Sequence, residues 1–378
     1  MKYRLEEIFD LQMGKTPSRN NPAYWQSKDN KWISIADLTK SDKYIENTKE
    51  YISDKAVEES GISLIPANTV IMSFKLSIGK TAITTEPMYS NEAIMSFRDK
   101  HLVDLLPDYI YYLLSGKKWE KDTNKAVMGK TLNKATLSNV IVNIDNINKQ
   151  KEIVSRLDEL NSIIANRKKE LQKLDELIKA RFVEMFDTCS SEILIGDVIS
   201  ISRGASPRPI QAFITNDKNG VNWIKIGDVP ENSLYITNTA EKITKEGAKK
   251  SREVHKGDFI LSNSMSFGRP FILRIDGCVH DGWLILSDFR DTFNELYLYY
   301  ALRSEHVQYQ FGGKVNGATV KNLNSDLVKA TSIKIPKMKF QEQFANFVKQ
   351  VDKSKFVVQQ ALDKAQLLFD SLMQKYFG

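Results

Sequence analysis

The chain has 378 residues, of which 42% are hydrophobic and 27% charged, as in an ordinary folded protein of two or three domains. This composition excludes a disordered chain and a collagen-like chain, and two cysteines exclude a small disulfide scaffold. The net charge of +7 is a mild basic excess, which is compatible with a nucleic-acid partner and does not establish one.

A membrane partner is not expected, because no apolar run approaches the ~18–20 residues of a membrane span. The longest candidate, 109–114, ends at a Ser-Gly pair. The first residues lack the apolar core of a secretion signal, and the cysteines show no zinc-ligand spacing. These features predict a protein of the reducing cytoplasm without a metal site.

Short apolar runs bounded by turn residues predict strands in both halves of the chain. In chain order they lie at 32–35, 69–74, 223–226, 258–261 and 283–286. Helical patterns at 105–114 and 295–302 lie among them. Residues 1–148 and 188–339 are therefore each predicted to form a mixed domain of class α/β or α+β.

The two halves repeat one order of motifs at an offset of about 190 residues. Gly-Lys-Thr-Pro at 14–17 corresponds to Gly-Ala-Ser-Pro at 204–207, and Trp-Ile-Ser-Ile-Ala-Asp-Leu at 32–38 to Trp-Ile-Lys-Ile-Gly-Asp-Val at 223–229. Ser-Ile-Gly-Lys at 77–80 corresponds to Ser-Phe-Gly-Arg at 266–269. Because these motifs keep their order and spacing, we predict an internal duplication.

A long helical pattern ends each half, at 149–187 and 340–378. Apolar residues recur there at alternating steps of three and four, which is typical of a coiled-coil seam. Each helix of ~38 residues would be about 57 Å long. The predicted seam residues are Ile153, Leu157, Leu160, Ile164, Leu171, Leu174, Ile178, Phe344, Val348, Val351, Val358, Leu362 and Phe369.

The simplest arrangement for a duplicated chain is antiparallel pairing of the two helices about a pseudo-twofold axis. The alternative is that each apolar stripe packs on its own globular domain. Arg167, Arg181 and Lys355 are charged residues on the seam, and they either face a partner subunit or fix the register of the pair.

Motifs of nucleotide-binding enzymes are incomplete in this sequence. Gly-Lys-Thr occurs at 14–16, 79–81 and 129–131, but a phosphate-binding loop needs a further glycine five residues earlier. Those positions hold Phe9, Phe74 and Asn124. We therefore predict no phosphate-binding loop in this chain.

Several motifs together resemble a known family. The sequence Gly-Lys-Thr-Pro, then Pro-Ala-Tyr-Trp at 22–25 and Trp-Ile-Ser-Ile-Ala-Asp-Leu at 32–38, is similar to the start of a target-recognition domain. The segment 149–160 resembles the opening of the helix that follows such a domain. The whole chain resembles the specificity (S) subunit of type I restriction–modification enzymes, although the second half lacks the Pro-x-Tyr-Trp step.

The resemblance implies an α+β protein in which two similar target-recognition domains (1–148 and 188–339) are joined by two long antiparallel spacer helices (149–187 and 340–378). It implies a non-catalytic subunit whose domains each recognise one half of a bipartite target in double-stranded DNA. Two methyltransferase (M) subunits would dock on the helices, and two restriction (R) subunits can join them. S-adenosylmethionine, ATP and magnesium would be bound by those partners, and no cofactor by this chain.

DNA contacts are predicted in basic and polar segments that lie at equivalent places in both halves. The first segment contains Lys15, Ser18, Arg19 and Asn20, matched by Arg203, Ser206 and Arg208. The second contains Lys75, Ser77 and Lys80, matched by Asn263, Ser264, Ser266 and Arg269. The third contains Lys130, Asn133 and Lys134, matched by Lys314, Asn316, Lys321 and Asn322.

Three other functions stay open at this point. A coiled-coil protein–protein adaptor would use the helices without DNA. A self-contained DNA enzyme would need catalytic motifs that we do not find. The specificity subunit of a related two-chain restriction enzyme would recognise DNA in the same way and differ in its partners.

Overall fold

The structure, a computed structural model, describes residues 1–75, 77–119, 124–126, 129–229, 233–263, 268–313 and 323–378; for 124–126 and 129–131 it describes the backbone alone. The chain forms two compact units. The first contains Met1–Lys168 and Gln360–Gly378, and the second contains Lys169–Gln359. Each unit thus holds one globular block and a part of each long helix.

The first unit begins with the strands and helices of its globular block and continues into the first long helix. The strands are β1 (Lys2–Arg4), β2 (Phe9–Met13), β3 (Asn30–Ile33), β4 (Tyr44–Ile45), β5 (Glu50–Ile52), β6 (Val70–Ser73), β7 (Thr81–Thr84), β8 (Tyr89–Ser90), β9 (Ile94–Asp99), β10 (Asn124–Ala126), β11 (Gly129–Thr131) and β12 (Ile141–Asn143). The helices are α1 (Leu5–Ile8), α2 (Ile35–Lys40), α3 (Asp54–Ser60), α4 (Pro107–Gly116), α5 (Lys134–Ser138) and α6 (Ile147–Phe186), which passes into the second unit.

The second unit repeats this plan. Its strands are β13 (Glu192–Leu194), β14 (Ser200–Arg203), β15 (Ile214–Thr215), β16 (Val221–Ile224), β17 (Tyr235–Ile236), β18 (Glu241–Ile243), β19 (Arg252–Val254), β20 (Phe259–Ser262), β21 (Pro270–Leu273), β22 (Gly277–Val279), β23 (Trp283–Ser287) and β24 (Ser332–Lys334). Its helices are α7 (Ile195–Val198), α8 (Lys245–Ala248), α9 (Glu295–Leu302), α10 (Glu305–Gln308) and α11 (Ser325–Lys329), followed by α12 (Met338–Phe377), which ends in the first unit.

The strand orders confirm the predicted duplication. The main sheet runs β2-β9-β6-β7-β4 in the first unit and β14-β23-β20-β21-β17 in the second. A second sheet runs β5-β3-β8 in the first unit, and its counterpart β18-β16-β22 carries β15 and β19 as additional strands. The strand pair β1–β12 corresponds to β13–β24.

The central strand of each main sheet is buried on both faces, which explains its continuous apolar sequence. In β6, Val70 and Met72 face the apolar cluster that includes α4, and Ile71 faces the cluster on the other side. In β20, Phe259 and Leu261 face one cluster and Ile260 the other. Each block is therefore a sheet between two apolar layers.

The two long helices pair antiparallel within the second unit. Phe186 and Phe182 of α6 contact Phe344 of α12, with ring centroids 5.6 Å and 5.4 Å apart. Further along the pair, the Lys355 ammonium forms an ion pair with the Asp175 carboxylate, with an N–O distance of 2.6 Å. Position numbers fall along α6 as they rise along α12, so the predicted antiparallel pairing is confirmed in this unit.

In the first unit the beginning of α6 lies beside the end of α12. Arg156 donates a hydrogen bond to the Tyr376 hydroxyl at 3.4 Å, and the Lys149 ammonium lies 5.9 Å from the Tyr376 ring centre. The apolar cluster that contains Ile153 and Leu157 also includes the block's own core and, partly buried, Phe369. Each apolar stripe therefore packs on the other helix and on its own domain, so the two arrangements considered from the sequence occur together.

Most predicted seam residues are shielded from solvent. Ile153, Leu157, Ile164, Ile178, Phe344, Val348, Val351 and Val358 are buried, and Leu160, Leu171, Leu174, Leu362 and Phe369 are half-buried. The charged seam residues Arg167, Arg181 and Lys355 are also half-buried. Lys355 pairs with Asp175 of the other helix, and Arg181 lies 5.9 Å from the Phe347 ring centre, so these two residues contact the helix pair itself.

Candidate nucleic-acid interface

In the first unit, the first candidate segment is attached to the turn 91–93 between β8 and β9. The backbone N–H of Gly14 donates to the carbonyl of Ile94 at 3.1 Å, and that of Lys15 donates to the carbonyl of Ser90 at 2.8 Å. These bonds hold the loop after β2 against the turn.

The second candidate segment of the first unit bonds to the same turn, and the third segment bonds to the second. The N–H of Phe74, at the end of β6, donates to the carbonyl of Ala93 at 3.0 Å, and the Phe74 carbonyl accepts from the N–H of Leu132 at 3.1 Å. Three segments distant in sequence are thereby brought together. We call them and the turn the loop edge of this unit: 14–20, 74–75 with 77–80, 91–93 and 129–134.

The second unit builds the same arrangement around the turn 280–282. The backbone N–H of Gly204 donates to the carbonyl of Trp283 at 2.9 Å, and that of Asn263 donates to the carbonyl of Gly282 at 3.1 Å. The backbone N–H of Leu323 donates to the carbonyl of Asn263 at 2.9 Å. Among the described residues, the loop edge of the second unit comprises 203–208, 262–263 with 268–269, 280–282 and 323–324.

Glycine is required where the first loop crosses the turn. A Cβ atom on Gly14 would lie 2.2 Å from the carbonyl oxygen of Ser90, and one on Gly204 would lie 2.1 Å from that of His280. Because these contacts are with backbone, no side-chain rotation can relieve them. The glycine that opens the repeated motif is therefore explained by close approach of two chain segments.

Arg19 in the first loop is held in place on three sides. Its guanidinium donates to both carboxylate oxygens of Glu50 in β5, with one N–O distance of 3.1 Å. It also stacks over Trp25 at 3.7 Å and lies 5.0 Å from the centre of Trp32. A bidentate pair with stacking fixes the guanidinium at the surface, where half of the Arg19 side chain stays exposed.

A carboxylate of the turn binds the hydroxyl of the first loop in both units. The Thr16 hydroxyl donates to Glu92, and the Ser206 hydroxyl donates to Asp281 at 2.8 Å. The hydrogen bond from Thr16 lowers the pKa of Glu92, and that from Ser206 lowers the pKa of Asp281, with additional contributions from nearby positive charge. Both carboxylates are therefore anionic at neutral pH.

Asp281 also lies among several predicted DNA-contacting residues. The Arg203 Nε–H donates to the Asp281 carbonyl at 3.1 Å, and the Asn263 amide donates to the same carbonyl at 3.0 Å. The Arg208 guanidinium approaches the Asp281 carboxylate at 3.6 Å. The first and second candidate segments are therefore joined through one residue that the sequence analysis did not select.

The hairpin after the central strand has one design in both units. The Ser73 N–H donates a hydrogen bond to the Lys80 carbonyl at 2.8 Å, and the Lys80 N–H donates one to the Ser73 hydroxyl at 3.1 Å. In the second unit the Ser262 N–H donates to the Arg269 carbonyl at 3.2 Å, and the Arg269 N–H donates to the Ser262 hydroxyl at 3.3 Å. A serine at the strand end thus positions the basic residue that follows the glycine.

The third segment leads into a short capped helix. The Asn133 side chain accepts from the Thr136 N–H at 2.7 Å and begins α5. Asn324 accepts from the Leu327 N–H at 2.8 Å and begins α11. The residue that takes the place of Asn133 in the second unit is thus Asn324, which was not among the residues predicted for the third segment.

The predicted DNA-contacting residues differ in exposure. Lys15, Ser18, Arg19, Asn20, Ser77, Lys80, Asn133, Lys134, Arg203 and Arg208 are exposed, whereas Lys75, Ser206 and Arg269 are half-buried. Asn263 is 5% exposed and its amide is used inside the loop edge, so it is poorly placed for a DNA contact in this structure. Ser264, Ser266, Lys314, Asn316, Lys321 and Asn322 lie outside the described residues, as does the side chain of Lys130.

Within the described part of the chain, no group of three or more His, Cys, Asp or Glu residues is arranged to hold a metal ion. In the same residues, no helix is both long and apolar enough to span a membrane. Apart from the turn carboxylates Glu92 and Asp281, the polar groups of the loop edges are cations, hydroxyls and amides, which are the groups that contact phosphates and base edges.

A family model described as the type I restriction modification DNA specificity domain matches this chain twice, over residues 1–176 and 191–364. The two matches together cover most of the sequence and one falls on each repeat. The chain belongs to this family. The predicted family is therefore confirmed, and the two loop edges lie in its two specificity domains.

Curated relatives of this specificity protein share about a quarter of its residues. The specificity subunit of type I restriction enzyme MjaIX from Methanocaldococcus jannaschii is 24% identical over 240 residues, 57% of this chain and 55% of that protein. The EcoR124I/EcoR124II specificity subunit from Escherichia coli is 26% identical over 168 residues, 42% of this chain and 40% of that protein. The chain thus matches about half the length of these relatives.

Two solved structures share the fold of this specificity protein over its full length. The S subunit of a type I restriction–modification system from M. genitalium aligns with a TM-score of 0.55 and 12% identity, covering 100% of this chain and 96% of that chain. A chain from a study of complex assembly and conformational transition of the type I R–M system aligns with a TM-score of 0.66 and 15% identity, covering 100% and 97%. At these identities the likeness establishes the fold, and the predicted α+β class is confirmed.

Proposed function

We propose that this chain is the cytoplasmic, non-catalytic DNA-recognition subunit of a type I restriction–modification enzyme. Each domain contacts one half of a bipartite target in double-stranded DNA. The proposal depends mainly on one observation: in both units, equivalent backbone hydrogen bonds join the first and second candidate segments to one turn and the third segment to the second. A protein that recognises two half-sites needs such a surface twice.

The chemistry of the loop edges fits duplex recognition. Exposed Lys15, Lys80 and Lys134 can neutralise phosphates, which provides affinity without sequence preference. Exposed Arg19 and Arg208 can form bidentate hydrogen bonds to guanine in the major groove. Affinity and specificity are therefore assigned to different side chains of the same surface.

Partner subunits supply the chemistry in this proposal. Two methyltransferase subunits dock on the spacer helices, two restriction subunits join them, and those partners bind S-adenosylmethionine, ATP and magnesium. Within the second unit, Phe356 and Val357 of α12 are 64% and 63% exposed. Adjacent exposed apolar side chains on a helix are typical of a surface that a partner covers, which supports docking there.

The direct test is a selection of bound duplexes from a random library, using the full chain together with its methyltransferase partner. We expect the bound pool to contain two defined sequence blocks separated by a gap of fixed length. Arg19→Ala should relax one block and Arg208→Ala the other, because each arginine lies in a different domain.

A bound pool with no preferred sequence would contradict this function and favour a protein–protein adaptor. Cleavage of DNA on both sides of the selected target would instead indicate the related two-chain restriction enzyme. The variant Glu253→Gln serves as control, because this exposed residue lies on β19 outside the loop edge and its change should leave both blocks as they are.

A further inference from the structure

The exposed arginine of each first loop already faces a carboxylate. In the second unit Arg208 lies 3.6 Å from Asp281, and the Arg208 side chain is 82% exposed. In the first unit Arg19 forms the bidentate pair with Glu50. An arginine that contacts DNA must exchange this carboxylate for a phosphate or a base edge.

The carboxylate of the second unit is held firmly in its place. One oxygen of Asp281 accepts from the Ser206 hydroxyl at 2.8 Å, and its carbonyl accepts from Arg203 and Asn263. Because these bonds are independent of Arg208, Asp281 remains beside the loop whether or not the arginine leaves. The negative charge is thus a fixed part of the surface that faces DNA.

Such a fixed charge affects two kinds of DNA binding differently. The Arg208–Asp281 pair is highly exposed and contributes little free energy, so a cognate duplex that offers a base edge can displace it at small cost. The bidentate Arg19–Glu50 pair is stronger, and its displacement needs the bidentate contact that a guanine edge offers. The base edges of a non-cognate duplex do not match, so the arginine can leave its carboxylate only for a phosphate, and a neutralised arginine adds little to that counterion-driven attraction. The pair therefore reduces sequence-independent binding more than cognate binding.

We propose that Asp281 and Glu50 are specificity-determining residues that neutralise Arg208 and Arg19 on non-cognate DNA and release them on the cognate half-site. This inference rests on the proposed DNA-recognition function and adds acidic residues to its specificity. Glu50 acts on the first half-site and Asp281 on the second, since each lies in a different domain.

The test compares Asp281→Asn with wild type in the full chain bound to its methyltransferase partner. Asparagine keeps the oxygen that accepts from Ser206 and removes the charge beside Arg208. On a duplex of scrambled sequence we expect binding about five- to tenfold tighter near 0.1 M salt, and a salt slope steeper by about 0.9, as one additional phosphate contact requires. Cognate affinity should change by less than about twofold, so discrimination falls.

Two further variants separate charge from loop structure. Glu253→Gln removes one negative charge elsewhere in the same domain and should leave the salt slope unchanged. In an Arg208→Ala background, Asp281→Asn should no longer tighten scrambled-duplex binding. Glu50→Gln should reproduce the effect through Arg19.

The inference would be overturned if the salt slope of scrambled-duplex binding were the same for Asp281→Asn as for Glu253→Gln. It would also be overturned if Asp281→Asn bound the scrambled duplex more weakly than wild type. Either result would leave Asp281 with a structural role. If wild type shows no preferred target, the proposed function fails. The scrambled-duplex slopes still show in that case whether Asp281 neutralises Arg208, because they need no cognate sequence, so the two failures are distinguishable.

Discussion

The loop edges of the two domains share their backbone and differ in their charges. Thr16 with Glu92 and Ser206 with Asp281 form the same hydroxyl–carboxylate bond at equivalent positions. The first-loop arginine, however, pairs with a strand residue in the first unit and with the turn itself in the second. The backbone arrangement is therefore constant, and the partners of the exposed cations vary, as expected for two modules that recognise different half-sites.

The two domains also differ in how they pack on the long helices. In the second unit Phe186 of α6 is 1% exposed and its ring centroid lies 4.8 Å from that of Tyr297 in α9. In the first unit Phe377 of α12 takes the corresponding place beside Tyr109 of α4 at 5.4 Å, but it is only half-buried. The same aromatic contact is thus built from the last residue of each long helix, with different burial.

The different burial of Phe186 and Phe377 predicts that their replacement by alanine lowers the free energy of unfolding by unequal amounts. Phe186→Ala should destabilise the second unit by about 3–5 kcal/mol, the usual cost of removing a buried aromatic ring. Phe377→Ala should cost the first unit roughly half as much, because part of its ring already faces solvent. Denaturant unfolding followed by amide hydrogen exchange in each unit measures both values, and equal losses would show that the two contacts are equivalent.

Replacing the glycine that opens each first loop should affect one half-site at a time. Gly204→Ala places a methyl group against the His280 carbonyl, and we expect a loss of about 1–3 kcal/mol together with loss of the second half-site. Gly14→Ala should do the same in the first unit. As a control, Gly227→Ala adds a methyl group with nothing within 4 Å, so selection of bound duplexes should be unchanged for it.

The fold could be predicted from the sequence where apolar patterns were long. The helix predicted to begin at residue 149 begins at Ile147, because the Asn146 side chain accepts from the Lys149 N–H at 3.0 Å and caps the first turn. The central strand predicted at 69–74 is observed as Val70–Ser73. Two-residue strands such as β15 were not predicted, since so short a segment has no periodicity and depends on its neighbours in the sheet.

The candidate site was less accessible from the sequence. A search for basic and polar residues found Arg19 and Arg208 but not Glu50, Glu92 or Asp281. The position of an acidic residue beside a loop depends on strand pairing over long separations. One signal was available: Glu92 and Asp281 stand at matching positions of the duplication, as do Thr16 and Ser206. The same search selected Asn263, whose burial becomes evident only after folding.

The caps of the third segment should contribute equally in both domains. Asn133→Ala and Asn324→Ala each remove the acceptor at the N-terminus of a short helix, which costs about 1 kcal/mol. Asn→Asp at either position should restore most of that loss, since a carboxylate accepts the same bond. Thermal unfolding measured for the four variants provides the comparison, and a loss at one position alone would mean that the two segments are not equivalent.

Two half-buried carboxylates should give the units opposite responses to acid. Burial raises the pKa of Asp108, but hydrogen bonds from Lys43 and Tyr44 outweigh burial and hold that pKa below its usual value. In the second unit, burial keeps the pKa of Asp352 above its usual value, although Lys355 opposes the shift. An unperturbed aspartate has a pKa of about 3.9.

The sign of each carboxylate's contribution to stability follows from the difference between its pKa in the folded and the unfolded chain. The contribution of Asp108 is present above about pH 4 and is lost as the pH falls through its lowered folded pKa, so Asp108→Asn should destabilise the first unit at neutral pH and lose this effect in acid. Asp352 is penalised once the pH rises through its raised folded pKa, so Asp352→Asn should stabilise the second unit at neutral pH and have little effect below about pH 4. Amide hydrogen exchange at neutral and acid pH tests both signs in one experiment. If both variants were destabilising at neutral pH, the attraction between Asp352 and Lys355, rather than the burial of Asp352, would dominate its contribution to the second unit.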